Sequence, residues 1–244
     1  MIFEKLIFIH IPKTAGSSIQ NSLIKQQELV YEGTNDFFEH IGVEQNRKFK
    51  NNDIKFIDFK RHLPLEIIKL SNHFYNKPII TFVRNPFSRT VSLYYECLRS
   101  EKYLRDLGMD KKSSYENFLE ILLKKKYWFT MSMIDWIGED NLKNVDFIGK
   151  FETLNDDIKV LKNKFNLRLN LKFHNYNNSI GGKYSPPNYA NFYKNSENIK
   201  KVENIYSKDF KIFDYNFEDF RRYEKIKTNK FNILINLIKR KLFI

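Results

Sequence analysis

The chain has 244 residues, 42% apolar and 16% aromatic, and its 42 Lys and Arg against 29 Asp and Glu give a formal net charge of +13. That length supplies one sizeable core or two small ones, and the composition excludes a disordered chain. The charge suits an anionic partner without choosing among nucleic acid, membrane and phosphate-rich small molecule, while the single cysteine, Cys97, excludes an intrachain disulfide.

Residues 5–11 are rich in Ile and Phe and predict a buried strand that Pro12 ends. A helix is expected from Gly16 to about Val30, with Ile19, Leu23 and Ile24 on its apolar face, and polar residues 31–53 are expected to be a loop or short helices. A second strand is predicted over 54–59, with Lys60, Arg61 and His62 at its end. Pro64 is placed to open the next helix at its first position. A third strand, 78–83, runs into Arg84, and Pro86 opens a helix bearing Val91, Tyr94, Tyr95 and Leu98. Residues 100–143 read as a mainly helical insertion. A fourth strand over 145–148 leads to a helix over 153–165, capped by Thr153 or Asn155. Gly181, Gly182, Pro186 and Pro187 mark a loop, and two short helices follow near 196–206 and 209–213.

This alternation predicts an α/β fold, a three-layer α/β/α arrangement around a central parallel sheet. Residues 1–220 are expected to form one domain. Residues 221–244 carry eight basic residues against Glu224 and predict a basic amphipathic helix, which can lie on an anionic membrane or pack across the domain; packing is favoured. The apolar stretch 6–11 is too short for a signal core and no 18-residue apolar stretch exists, so a cytoplasmic protein is expected, with the tail as its means of peripheral membrane contact. In such sheets ligands sit beyond the carboxyl ends of the strands. Lys13, His62 and Arg84 each follow a predicted strand.

Two strings carry chemistry. The first is His10-Ile11-Pro12-Lys13-Thr14-Ala15-Gly16-Ser17-Ser18, which joins a strand to a helix. A helix start aims main-chain amides at an anion, and Lys13 adds a full positive charge. Gly16 permits close backbone approach, and Thr14, Ser17 and Ser18 bring hydroxyls. It is not a Walker A loop, which places glycine ahead of the lysine, where this chain has Pro12. The second string runs from Phe82 to Tyr95. Arg84 offers a rigid fork for a phosphate, Ser92 stands almost two helical turns beyond Pro86, and Arg89 lies three residues before Ser92 on the same helix.

Together the two strings resemble the carbohydrate-type sulfotransferases that use 3'-phosphoadenosine 5'-phosphosulfate (PAPS). The resemblance runs from about residue 5 to 216. It takes in Lys60-Arg61-His62-Leu63-Pro64, where Arg61 replaces the family's usual glycine, and also residues 145–161, 174–189 and 205–215. It implies a P-loop nucleotide-hydrolase-like sulfotransferase fold and the product 3'-phosphoadenosine 5'-phosphate. It also implies that residues 13–18, Lys13 foremost, hold the 5'-phosphosulfate, that Arg84 and Ser92 hold the 3'-phosphate, and that Lys183 and Tyr184 belong to a loop over the cofactor. The acceptor implied is a hydroxyl on a carbohydrate or glycolipid, chosen partly by the insertion.

In-line attack on sulfur needs stabilisation of the leaving oxygen, for which Lys13 is suited, and a base at the attacking hydroxyl. An imidazole titrates near pH about 6.5, and His62 is the expected base. His10 is read as structural, His174 is a second candidate, and no side-chain spacing suggests a metal site. Two other readings stand against this one. A kinase of related fold would need a Walker A loop and a magnesium-binding carboxylate. A non-catalytic basic protein binding nucleic acid or membrane would rest on spread lysines, and no helix-turn-helix, zinc-finger or RNP-like string is present.

Overall fold

The computed structural model describes residues 1–25, 29–31, 62–71, 74, 76–169 and 188–226. They fall into two compact units, Met1–Arg84 with Leu122–Phe173 and Asn85–Ile121 with His174–Ile244.

The first unit contains the sheet. Its strands are β1 (Ile2–Phe3), β2 (Ile7–Ile9), β3 (Leu29–Tyr31), β4 (Ile79–Val83) and β5 (Phe147–Lys150), in the order β3-β1-β2-β4-β5. β2, β4 and β5 are parallel, with Phe8 opposite Ile80 and Phe82 opposite Gly149. β1 pairs antiparallel with both β2 and β3, so the sheet is mixed and not wholly parallel. The expected strand 5–11 is thus the second arm of a hairpin. Exposed Glu4 and Lys5 form its turn, closed by the Phe3 amide donating to the Leu6 carbonyl at 2.8 Å. The expected helix to Val30 ends early. Helix α1 covers Gly16–Ile24, and β3 follows, since a Leu-Val-Tyr run suits a pleated surface better than a helix. The strand predicted over 54–59 lies outside the described residues.

Side chains alternate across each strand. Phe8, Ile80 and Phe82 share one core with Ile19 and Leu23 of α1 and with Leu154, Ile158 and Leu161 of α7 (Leu154–Phe165), while Ile7, Ile9, Thr81 and Val83 are buried on the opposite side. Asp146 ties the start of β5 to β4: its carboxylate accepts from the Ile79 amide at 2.7 Å, and its amide donates back to the Ile79 carbonyl at 2.8 Å. At the far end of β5, the Asp157 carboxylate accepts the Lys150 amide at 2.6 Å and the Thr153 hydroxyl at 2.8 Å. Thr153 therefore occupies the cap position of α7 without capping it. A Cβ on Gly149 would stand 2.3 Å from the Phe82 ring. Gly149→Ala is expected to cost about 1–3 kcal/mol by overpacking, read as a lower denaturation midpoint; an unchanged midpoint would show that the ring yields freely.

Pro64 is the cap of a short helix, α2 (Leu65–Ile68), and not its first residue. From the insertion, α6 (Met133–Ile137) packs beside α2. Buried Asn141 links the two regions: its side chain donates to Glu66 and to the Ile137 carbonyl, and accepts from Lys69.

The second unit is helical. Its central helix, α3 (Pro86–Arg99), has Asn85 as cap, accepting from the Phe87 amide at 3.1 Å, with Pro86 in the first turn where no amide is needed. Helices α4 (Glu101–Leu107), α5 (Tyr115–Lys124), α8 (Ser196–Ile205) and α9 (Ser207–Phe213) follow. The Tyr193 hydroxyl donates to the Phe87 carbonyl at 2.7 Å and meets the Tyr115 hydroxyl at 2.6 Å. Burial holds the Tyr115 hydroxyl well above the usual phenol range, so it stays a donor. Arg89 is fully buried, its guanidinium 5.7 Å from the Tyr206 ring centre. Residues 217–226 are helical; Phe220 and Glu224 are buried, and Glu224 accepts from the Tyr189 amide at 3.2 Å. In the described start of the basic tail Glu224 is buried, whereas Arg221, Arg222, Lys225 and Ile226 are exposed. Among the described residues no helix is long and apolar enough to cross a membrane.

Candidate active site

The candidate residues of the first unit gather at the carboxyl ends of β2 and β4. Beyond Ile9 the chain turns through Lys13 at φ 67° and Ala15 at φ 73°, both left-handed, before α1 begins at Gly16. Non-glycine residues pay a steric cost there, and the surrounding contacts hold them. The Thr14 hydroxyl donates to the Ile11 carbonyl at 3.0 Å, bracing the turn from inside. That leaves the Thr14 amide, more than its hydroxyl proton, for a ligand. Ala15 packs against the core and can serve a ligand only through its main chain. Ser17 is half-buried and Ser18 buried at the helix start, where the helix dipole favours an anion, and the Ser18 amide donates to the Ala15 carbonyl at 3.0 Å.

Gly16 has a second reason to be glycine. A Cβ there would lie 1.9 Å from Cδ2 and 2.1 Å from Nε2 of His10. The buried His10 imidazole occupies that space, which the sequence did not reveal.

Arg84 follows β4 and is 6% exposed. Its Nη1 donates to the Lys13 carbonyl at 3.2 Å, its guanidinium lies 4.0 Å from the centre of the Phe151 ring, and its amide meets the Met133 sulfur at 3.3 Å. Lys13 and Arg84 are thus neighbours, as a ligand spanning both requires. Phe151 directly follows β5, as Arg84 directly follows β4. The stacked, forked geometry is specific to arginine. Arg84→Lys is expected to weaken binding of adenosine 3',5'-bisphosphate by about ten- to a hundredfold, the value of one hydrogen bond to a charged group; calorimetry giving wild-type affinity would remove Arg84 from the site.

His62 reaches the end of β2. Its Nδ1 lies 2.6 Å from the His10 carbonyl oxygen, and a carbonyl can only accept, so Nδ1 carries the proton. The lone pair then lies on Nε2, the tautomer a general base needs. The His62 ring centre is 4.2 Å from that of His10 and 6.1 Å from each of Trp128 and Trp136. The insertion therefore contributes the aromatic surroundings of His62. Both tryptophans of the chain stand there, and their closeness in sequence is the signal that marks this wall.

Ser92 stands half-buried on α3 in the second unit. Arg89, three residues earlier, is buried with its guanidinium 5.7 Å from the Tyr206 ring centre. Glu96 and Arg99 pair with each other at 2.5 Å. Lys183, Tyr184 and His174 lie outside the described residues. Among the described residues no group of three or more His, Cys, Asp or Glu side chains is arranged to hold a metal ion. A hollow of about 600 Å³ lined by Lys69, Lys77, Asn144 and Asp146, among others, sits by the amino end of β4, away from these groups.

Compared with known proteins, residues 3–216 match the family model described as "Sulfotransferase family". Among solved structures, the chain is similar in fold to mouse sulfotransferase SULT7A1 complexed with PAP, with a TM-score of 0.53 and 14% identity over 91% of this chain and 88% of that one. No curated protein matches the sequence.

Proposed function

The chain belongs to the sulfotransferase family, and we propose that it is a PAPS-dependent enzyme whose acceptor is a carbohydrate hydroxyl, with Lys13 at the donor and His62 at the acceptor. The observation that carries this reading is the contact of the Arg84 guanidinium with the Lys13 carbonyl, beside a histidine whose Nδ1 is bonded to the His10 carbonyl. The donor set fits a doubly phosphorylated nucleotide: an ammonium, a guanidinium, clustered hydroxyls and a helix start.

When bound, the nucleotide supplies a sulfuryl group attached to a phosphate leaving group. Lys13 and the amides of residues 14–17, with the hydroxyls of Ser17 and Ser18, then face the phosphate on which charge develops, and stabilise it more as the charge grows. Arg84, with Ser92, binds the 3'-phosphate, and Lys183 and Tyr184 are assigned to the same nucleotide. Nε2 of His62 accepts the proton of the attacking hydroxyl, while the His10 carbonyl stabilises the imidazolium that results. Trp128 and Trp136 keep the His62 ring from rotating and limit water around it.

The carbohydrate acceptor rests on the resemblance of the two strings to carbohydrate-type enzymes. Incubation with labelled PAPS and a panel of oligosaccharides, glycolipids and simple alcohols tests it. Label on a sugar hydroxyl is the expected result, and label on aryl alcohols alone would move the acceptor to another class. The cytoplasm is the location that accompanies this reading, with membrane contact assigned to the basic tail 221–244. Flotation with anionic vesicles, comparing the full chain with one ending at 220, tests that contact.

A further inference from the structure

We infer that His10 is a positioning residue that couples the donor loop to the base; the inference rests on the reading of His62 as that base. His10 is 2% exposed, and its ring stacks on Phe8 at 5.5 Å. One edge of the ring fills the space beside Gly16, the first residue of the helix that ends the donor loop. Its ring centre stands 4.2 Å from that of His62, and its carbonyl oxygen takes the His62 Nδ1–H at 2.6 Å. A single residue therefore touches the loop through its side chain and the base through both its ring and its main chain. Phe8 backs it, so a displacement of Gly16 pushes the imidazole toward His62, because close-packed interiors transmit strain. Replacing the ring by a methyl group removes this support, and the Nε2 lone pair of His62 loses its fixed direction. The loop then still binds nucleotide through its amides and Lys13, but proton removal at the acceptor suffers.

The test uses the full chain labelled with 15N-histidine, in which long-range 1H–15N correlations report the tautomer and the His62→Ala spectrum identifies the His62 signals. His62 is expected as the Nδ1–H tautomer. His10→Ala is expected to lower kcat by about ten- to a hundredfold with little change in the donor KM, the cost of a misplaced reacting group, whereas His10→Phe, which keeps a planar ring against Gly16, recovers most of kcat. Gly16→Ala, which drives a methyl group into the imidazole, is expected to be rescued in part by His10→Ala in the double variant. Overturning results are the Nε2–H tautomer in the wild type, a wild-type kcat in His10→Ala, or a double variant no better than Gly16→Ala. Full activity in His62→Ala would instead defeat the base assignment itself. An inactive His62→Ala together with a wild-type kcat in His10→Ala would defeat only the role of His10.

Discussion

Lys13→Ala lowers sulfuryl transfer by about a hundred- to a thousandfold, the value of one donor aimed at developing charge in a protected site, and leaves the fold intact. Both halves of that expectation follow from geometry. Arg84 grips Lys13 through the main-chain carbonyl, which any residue supplies, so the brace between β4 and the loop survives loss of the side chain. Alanine meets the same steric cost as lysine at φ 67°, so the turn is neither relieved nor further strained. Lys13→Gly completes the comparison, because it removes that cost together with the amine. It should melt at or above the wild-type temperature yet be as inactive as Lys13→Ala. Initial rates and thermal midpoints on the three proteins decide the matter, and appreciable turnover by either variant would take Lys13 out of the chemistry.

His62→Ala lowers kcat by about a hundred- to ten-thousandfold, the usual contribution of a placed general base, without weakening binding of adenosine 3',5'-bisphosphate. The sign of its pH dependence is fixed by the tautomer. The neutral imidazole accepts the proton, so wild-type kcat falls as pH drops and the ring takes a proton on Nε2. The variant lacks that group and should show a flat acid side. Retention of the acid limb in His62→Ala would assign it to another residue and end the proposed role. Loss of nucleotide binding in the same variant would mean that the ring props the donor loop instead of serving the acceptor.

The strand-to-helix alternation, Pro86 at a helix start and the positions of Lys13 and Arg84 were readable because each depends on local pattern: apolar runs, a proline's fixed φ, a charge after a strand. What escaped depends on partners distant in sequence. The first strand of the hairpin is only two residues long, and nothing in Ile2-Phe3 announces pairing with Ile7. β3 was hidden because its three residues continue the apolar spacing of α1, and only pairing with β1 makes them a strand. The burial of His10 suits a structural residue, but its contacts with Gly16 and His62 bridge gaps of six and fifty-two residues that local pattern does not reveal. Phe151 went unnoticed for the same reason: a phenylalanine after a strand means nothing until a guanidinium lies on it.

The Asp157 carboxylate, bonded to the Lys150 amide, bears on how these molecules behave when crowded. Among the described strands β5 lies at a border of the sheet, and such borders invite another chain to add on by matching its own peptide groups. A side chain from the following helix already satisfies one donor at the end of that strand, and its negative charge repels approaching carbonyl oxygens. Self-association along that border would first have to break a charge-assisted bond, so the device that finishes the strand also discourages aggregation.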